Sequence, residues 1–149
     1  MLPAVELTKK FMAAYKAAQK KVCKAWNVPE VSLDILLFLA NNPGMDTARD
    51  ICTYRHLKPA IVSFHVDNLV REGYLERREG PGDRRKCRLV CTEKASDVIA
   101  RGREAQEAFS RQLTEGLTEE ELELCFRCFA VFGENMARLT GRRSPCKEK

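Results

Sequence analysis

The sequence predicts a mainly α-helical protein with one small β-hairpin, which is an α+β fold. Two observations support this prediction. Along most of the 149-residue chain, apolar residues recur at steps of three and four, the spacing of one face of an α-helix. Residues 74–92 instead contain two strand-like runs around a loop of glycine and proline. The length fits one ordinary domain, or one small domain with helices that join it to a second copy.

The composition is that of a folded protein. Hydrophobic residues make up 44% of the chain and charged residues 32%, which permits a sizeable core and argues against disorder over most of the length. The longest apolar run, residues 35–40, is far shorter than the ~20 residues that a membrane-spanning helix needs. No charged-then-apolar signal peptide begins the chain. We therefore expect a cytoplasmic protein with no membrane partner.

The first two predicted helices differ in how much apolar surface they carry. Residues 5–26 predict a long amphipathic helix, which Asn27-Val28-Pro29 ends. Its apolar stripe consists of Leu7, Phe11, Tyr15, Ala18, Val22 and Trp26. Residues 31–41 form a denser apolar helix that stops at Asn42-Pro43-Gly44. We expect this second helix to lie in the core.

Two short helices then meet across a tight turn. Asp46 or Thr47 can cap the first, residues 48–55, and Pro59 suits the first position of the second, residues 59–72. One stripe of the second helix is apolar and comprises Val62, Val66, Leu69 and Val70. Its other side carries mainly Ala60, Ser63, Phe64, Asp67, Asn68 and Arg71. This division predicts that one face packs and the other is presented to a partner.

The predicted hairpin concentrates the positive charge of the chain. Residues 74–78 and 86–92 read as strands on either side of Gly80-Pro81-Gly82-Asp83. Between Arg77 and Arg88 there are six basic residues and two acidic ones, a local excess of four in a chain whose net charge is +5. The pI near 8.9 is only mildly basic, so the position of the charge matters more than its total. A helix followed by a basic hairpin indicates binding to DNA.

The C-terminal part is predicted to be helical. Residues 93–113 form one helix, and Thr118-Glu119-Glu120-Glu121 is a capping box for the last. The last helix carries Leu122, Cys125, Phe129, Phe132, Met136 and Leu139. A single small domain could hardly cover the apolar stripes of both terminal helices, which indicates a partner subunit. The predicted organisation is an N-terminal dimerisation helix (1–30), a DNA-binding domain (31–93), C-terminal dimerisation helices (94–141) and a flexible tail (142–149).

In this order of elements the chain resembles the multiple-antibiotic-resistance regulator (MarR) family of bacterial winged helix-turn-helix transcription factors. The resemblance spans roughly residues 7–139. Its most specific pieces are the Val-Asp-Asn-Leu-Val-Arg-Glu-Gly-Tyr-Leu-Glu-Arg-Arg run at residues 66–78, the Asp83-Arg84-Arg85 wing tip and the junction at residues 88–94. It implies a homodimer with interlocking N- and C-terminal helices. Each subunit would place one recognition helix in a major groove, and half-sites about one turn apart would form a pseudo-palindromic operator.

The resemblance also implies roles for the wing residues. The carboxylate of Asp83 would orient the guanidinium of Arg85 into the minor groove, where narrow A·T-rich sequence carries an enhanced negative potential. The alternative for Arg85 is a solvated hairpin charge. Arg84 and Lys86 would contact phosphates or simply solubilise the hairpin.

The recognition helix departs from the family pattern. Ile61 and Phe64 occupy positions where many relatives place Thr and Arg. Phe64 would touch thymine methyl groups, or it would fold back onto the wing or the neighbouring helix. Ser63 matches the small polar position of the family and Lys58 lies at the helix entrance, where it can reach a phosphate. The predicted contacts of this helix are Lys58, Pro59, Ala60, Ser63 and Phe64.

In the MarR family a small molecule, often aromatic or anionic, changes DNA affinity from a crevice between the dimer helices and the winged domain. Chain order makes Phe11, Tyr15, Trp26 and Phe38 the candidate lining residues. Each of these four is an equally good core residue.

The seven cysteines are expected to be reduced, because the number is odd and no export signal is present. Cys125 and Cys128 form the one C-x-x-C motif, but zinc normally requires four ligands, so apolar packing is the better interpretation. We expect no metal and no cofactor. Cys23 lies near the end of the first helix, where some relatives carry an oxidant-sensing thiol, and inert packing is its alternative role.

The sequence therefore predicts a homodimeric DNA-binding repressor that a small-molecule effector releases. An enzyme is not expected, because a phosphate-binding loop, a metal-helix motif and a nucleophile elbow are all missing from the sequence. The alternatives are a regulator that senses oxidants through a thiol, and a winged-helix module for protein contacts in which Phe64 anchors the interface.

Overall fold

A computed structural model describes the backbone of residues 3–80 and 83–141 and the side chains of residues 5–79 and 87–141. The tail predicted at residues 142–149 lies outside the described residues. The helices are α1 (Pro3–Trp26), α2 (Glu30–Asn41), α3 (Ala48–Arg55), α4 (Pro59–Arg71), α5 (Ser96–Leu113) and α6 (Glu119–Leu139), and the strands are β1 (Leu75–Gly80) and β2 (Asp83–Cys91). The predicted mainly helical fold with one antiparallel hairpin is confirmed.

The core is built around α2, as the sequence predicts. Leu33, Ile35, Leu36 and Leu37 of this helix are almost completely buried. The other elements contribute Ile51, Val62, Val66, Leu69, Leu75, Leu89, Ala95, Val98 and Ile99 to the same cluster. Burial of each large aliphatic side chain stabilises the fold by about 1.5–3 kcal/mol, so this cluster is the main stabilising contact of the N-terminal part.

The helix-turn-helix begins at a capping box and passes through a strained turn. Of the two predicted caps, Thr47 is the one used. Its Oγ1 accepts from the backbone N–H of Asp50 at 3.1 Å, and its own N–H donates to Asp50 Oδ2 at 3.0 Å. His56 ends α3 with φ at 52°, in the left-handed region, and Pro59 occupies the first turn of α4 as predicted.

The hairpin is longer than the sequence predicts. Gly73, with φ at +81°, turns the chain out of α4, a conformation that glycine adopts without steric cost. Backbone pairing then continues from Leu75↔Cys91 to Gly80↔Asp83, with a register shift after Glu79. The strands extend to the tip because ladder hydrogen bonds use backbone groups, whatever the β-propensity of the charged side chains.

The predicted helix at residues 93–113 also differs in its start. Glu93–Ala95 form a short 3-10 turn, and α5 begins at Ser96. Gly102 on α5 lies against α2, where an added Cβ would come within 2.8 Å of a methyl carbon of Leu37. A side chain at this position would therefore overpack the buried contact between the two helices.

The chain forms two structural units, Met1–Phe109 and Ser110–Lys149. In the second unit, the predicted capping box joins Thr118 and Glu121 at the start of α6. None of the residues of α6 is buried in the single chain. Its exposed apolar side chains include Leu124, Phe126, Phe129, Val131, Phe132, Met136 and Leu139. Among the residues that the structure describes, no helix has the length and apolar character to cross a membrane.

We predict that Thr47→Ala lowers the free energy of unfolding by about 1 kcal/mol, because the eight-residue α3 loses its N-cap acceptor. Thr47→Ser keeps the hydroxyl and should stay close to the parent protein. Urea denaturation followed by circular dichroism measures both variants. Equal stability of the two would mean that the capping box contributes nothing.

Candidate nucleic-acid interface

Helix α4 presents the face that the sequence assigns to DNA. Val62, Val66 and Leu69 are buried against the core, while the opposite side chains are exposed. The exposed residues at the start of this helix and its entrance are Lys58, Pro59, Ala60, Ile61, Ser63 and Phe64. The packing of the apolar stripe thus fixes which side of α4 faces outward.

Phe64 is an exposed aromatic side chain rather than a packed one. The residue is 61% exposed, and its ring meets the ring of His65 edge-on, with centroids 5.2 Å apart. It does not fold back into the core of its own unit. An exposed phenyl ring on this face is suited to an apolar contact such as that with a thymine methyl group.

A hydrogen bond that the sequence analysis missed attaches α4 to α2. Ser32 is buried, and its Oγ lies 2.9 Å from Nδ1 of His65. Burial lowers the pKa of His65 below its usual 6.5. The two residues are 33 positions apart in the chain, so no local motif could have paired them. This bond restrains the rotation of the recognition helix about its axis.

The hairpin backbone places residues 83–86 at the start of β2, beside the tip. The side chains of the predicted DNA contacts here lie outside the described residues, and so does the predicted pairing of a carboxylate with a guanidinium. These residues are Asp83, Arg84, Arg85 and Lys86.

Arginines on the strand bodies are held by acidic neighbours. Arg77 on β1 pairs with Asp67 on α4, and Arg88 on β2 lies 3.6 Å from Asp46. The backbone N–H of Leu89 also donates to the carbonyl oxygen of Asp46 at 2.7 Å. Exposed ion pairs add at most ~1 kcal/mol each, so these contacts chiefly orient the hairpin against α3 and α4.

A cavity of about 390 Å³ lies between the hairpin, α3 and the start of α4. It brings Pro59 and Ser63, two predicted DNA contacts, next to Cys87 and Arg77 of the hairpin. Ala48, Arg49, Cys52, Val66 and Leu89 complete its lining. The recognition helix and the hairpin are therefore close enough to contact the same ligand.

A second cavity, of about 290 Å³, is here called the crevice; it lies between α1, α2 and the turn from α3 to α4. Its lining residues are Met12, Tyr15, Lys16, Gln19, Glu30, Val31, Leu33, Asp34, Leu37, Arg55 and Leu57. The hydrogen bonds that Arg55 donates to the carboxylate of Asp34 raise the pKa of the guanidinium. The crevice wall thus contains the last residue of α3 and the residue before the entrance of α4.

The structure distributes the four predicted effector-pocket residues over different surroundings. Tyr15 lines the crevice. Phe11 is 41% exposed and meets Phe109 edge-on at 5.4 Å. Phe38 is a core residue stacked on Tyr54, and Trp26 is half-buried against the same core. Neither Phe11, Trp26 nor Phe38 is among the residues that line the crevice.

The described cysteines include the three on which the sequence raised a reactive or metal-binding role, Cys23, Cys125 and Cys128. Burial, followed by the negative charge of Glu30, raises the pKa of the Cys23 thiol, which disfavours the reactive thiolate. Cys125 and Cys128 are exposed on α6, so they do not pack in a core of the single chain as the sequence suggested. The described ranges contain no cluster of three or more potential metal ligands.

The arrangement of α3, α4 and the hairpin defines a winged helix-turn-helix protein. Residues 26–86 match the model of the MarR family. No curated protein sequence matches the chain. With N- and C-terminal helices flanking the winged region, the chain has the fold of MarR-family winged-helix transcriptional regulators.

Solved structures share this fold at low sequence identity. The transcriptional regulator PA3341 superposes with a TM-score of 0.81 at 21% identity, over 93% of this chain and 98% of that one. A MarR-family regulator from Silicibacter pomeroyi gives 0.77 at 19% identity, over 89% of each chain. The organohalide-sensing regulator RdhR-CbdbA1625 gives 0.71 at 20% identity, over 99% of this chain and 89% of that one.

We predict that stability falls as the pH drops below 6.5, because the lowered pKa of His65 means that the unfolded chain binds the proton more readily. The contribution is fully present above 6.5 and is lost as the pH falls through that value toward the lower pKa of the folded state. Urea denaturation between pH 5 and 7.5 measures it.

His65→Asn, which offers an amide in place of Nδ1, should flatten this pH dependence. Ser32→Ala should cost about 1 kcal/mol at neutral pH, the net value of one hydrogen bond. An unchanged pH profile in His65→Asn would show that other groups cause the acid loss.

Proposed function

We propose that the protein is a cytoplasmic homodimeric repressor that binds a pseudo-palindromic operator and releases it when a small molecule occupies the crevice. The observation that carries this proposal is the exposed face of α4, with Ser63 and Phe64, placed beside a hairpin whose tip is rich in arginine. Residues 31–93 would bind DNA, and residues 1–30 and 94–141 would form the dimer.

The recognition helix would enter the major groove. Ser63 can reach a base edge or phosphate and Phe64 a thymine methyl group. No side chain caps α4 at Lys58, so its N-terminal end, with its partial positive charge, is open to a DNA phosphate. Arg85, oriented by Asp83, would enter the adjacent minor groove.

A second copy of the chain is the natural cover for the exposed apolar surface. Helix α6 leaves seven large apolar side chains exposed, and the first half of α1 adds Val5, Leu7, Phe11 and Met12. Monomeric proteins rarely leave so many large apolar side chains exposed along one helix. Two-fold symmetry of the dimer would place two recognition helices about one DNA turn apart.

Regulation by a small molecule is supported by the position of the crevice. The related regulator RdhR-CbdbA1625 has been solved with 2,4-dichlorophenol bound. In this chain, the crevice wall includes Arg55, the last residue of α3, and Leu57, in the turn that leads into α4. A bound molecule that moved this turn would change the angle of the recognition helix and so the fit to DNA.

The decisive experiment titrates the purified, reduced protein onto labelled DNA from upstream of its own gene and onto a scrambled duplex. Fluorescence anisotropy at several salt concentrations should show tight binding to the first, a strong preference over the second and a steep fall with salt. Equal weak binding to both, together with failure to select any duplex from genomic DNA, would favour a module for protein contacts.

We predict that Arg85→Ala weakens operator binding by about 1–3 kcal/mol, because it removes the minor-groove contact. Arg78→Ala is the matched control, since Arg78 already pairs with Glu76 on its own strand. The same anisotropy titration measures both. If the two variants lost the same affinity, the wing would act only through its overall charge.

We predict that Phe129→Glu weakens the dimer by about 2 kcal/mol or more, the range of interface hot spots, because Phe129 is 63% exposed in the single chain and would be buried by the partner. Arg127→Glu changes the charge by more but lies on the opposite side of α6. Sedimentation velocity over a concentration series compares them. A dimer that survives Phe129→Glu would require a different interface.

A further inference from the structure

We propose that α4 selects its DNA sequence through the C5-methyl groups of neighbouring thymines, which Ile61 and Phe64 contact, and not through hydrogen bonds to base edges. The inference rests on the proposed function, because it requires that α4 enters the major groove. It goes further in two respects. It makes Ile61 a second reading residue, and it names the methyl group as the feature that determines specificity.

The start of α4 lacks the side chains that usually distinguish base pairs by hydrogen bonding. Residues 59–67 contain no arginine, lysine, asparagine or glutamine. Arginine and lysine are the common readers of guanine, and asparagine and glutamine those of adenine. In helix-turn-helix proteins the N-terminal residues of the recognition helix contact the base edges. The part of α4 that would meet the bases therefore has none of these readers.

The polar side chains in this part of the helix offer little selection between base pairs. Ser63 is exposed, but a serine hydroxyl contacts either kind of base. His65 is half-buried, and its Nδ1 lies 2.9 Å from Oγ of Ser32 on α2. Asp67 is paired with Arg77 of the hairpin. Hydrogen bonding by these residues would position the helix more than it would select a sequence.

The longer polar side chains lie toward the other end of α4. Arg71 is the last residue of the helix, about two turns beyond Phe64. It donates to Oδ1 of Asn68 at 2.7 Å, and Asn68 is half-buried. A helix that enters the groove by its N-terminal end leaves this end near the edge of the groove.

The exposed surface at the start of α4 is instead apolar. Ile61 is 42% exposed and Phe64 is 61% exposed, and Pro59 and Ala60 beside them are exposed as well. In the major groove, the C5-methyl group of thymine is the apolar feature that a side chain can contact. Burial of Ile61 and Phe64 against methyl groups is therefore the selective contact that this surface can make.

Ile61 and Phe64 are spaced to meet two neighbouring base pairs. Residues three positions apart are neighbours on one helix face, with Cβ atoms about 5–6 Å apart. This separation exceeds the ~3.4 Å rise between successive base pairs, so each side chain can meet a different pair. Ile61 is β-branched and stiff about χ1 in a helix, and the Phe64 ring lies against the ring of His65. Both side chains thus lose little freedom when they bind.

The first test selects duplexes from a random library with the purified, reduced protein. Uracil then replaces thymine at the selected positions, which removes the methyl group and keeps the hydrogen-bonding edges. Each lost methyl contact should weaken binding about fourfold, the value of one buried CH₂ group. Two such positions should weaken it at least ~10-fold, as measured by fluorescence anisotropy. Equal affinity for the thymine and uracil duplexes would overturn the proposal.

A second series of duplexes separates the methyl group from the hydrogen-bonding pattern. Cytosine in place of a selected thymine, with guanine opposite, removes the methyl group and replaces the O4 acceptor with an N4 donor. 5-Methylcytosine restores only the methyl group. It should therefore bind about fourfold more tightly than cytosine at each such position. Equal binding of the cytosine and 5-methylcytosine duplexes would contradict methyl recognition.

Side-chain variants assign the methyl contacts. Ile61→Ala and Phe64→Ala should each weaken binding to the thymine duplex and reduce the uracil penalty about fourfold, and the double variant should bind both duplexes nearly equally. Both side chains are exposed, so circular dichroism should show an unchanged fold. Ser63→Ala is the matched control on the same helix and should weaken binding to both duplexes by the same factor. A uracil penalty that persists in the double variant would exclude Ile61 and Phe64 as the readers.

Failure of this inference is distinguishable from failure of the proposed function. Sequence-specific binding that is unaffected by the methyl group would leave the DNA-binding function in place and refute methyl recognition. Failure to enrich any sequence from the library would refute both.

Discussion

The burial of the leucine and isoleucine side chains of α2 is the constraint on which the positions of the other elements depend. Helices α3, α4 and α5 and both strands contribute residues to the cluster around it. Because protein cores are close-packed, a shift of one element must be accommodated by its neighbours. Three contacts therefore fix the angle of α4. Its apolar stripe packs on the core, His65 is hydrogen-bonded to Ser32 of α2, and the turn that contains His56 joins it to α3.

The same arrangement explains how a small cavity could affect a distant surface. The crevice does not reach the exposed face of α4, but its wall includes Arg55 and Leu57, on either side of His56. A non-glycine residue with positive φ is held there by its surroundings rather than by its own preference. The same short turn thus lines the crevice and leads into the recognition helix.

Much of this architecture could be predicted from the sequence because its signals are local. Helical periodicity predicted the bounds of α1 to α4 closely. The predicted capping box at Thr118 and the predicted proline at the start of α4 are both present. The extent of the hairpin was underestimated, since backbone pairing does not depend on the charged side chains. Whether Trp26, Phe38 and Tyr15 face a core or a cavity depends on tertiary packing, which an apolar stripe cannot reveal. The Ser32–His65 pair was missed for the same reason.

The ion pairs on the hairpin body have a consequence for how the protein would search a chromosome. Arg77, Arg78 and Arg88 are each held by a carboxylate of the same chain, so much of the hairpin's charge is neutralised before DNA arrives. Non-specific attraction to DNA grows with the number of free cations that replace counterions. A hairpin whose strand-body arginines are already paired would bind random sequence weakly and spend less time on it. Discrimination then improves because competing sites hold fewer molecules, even when the operator contacts themselves are unchanged.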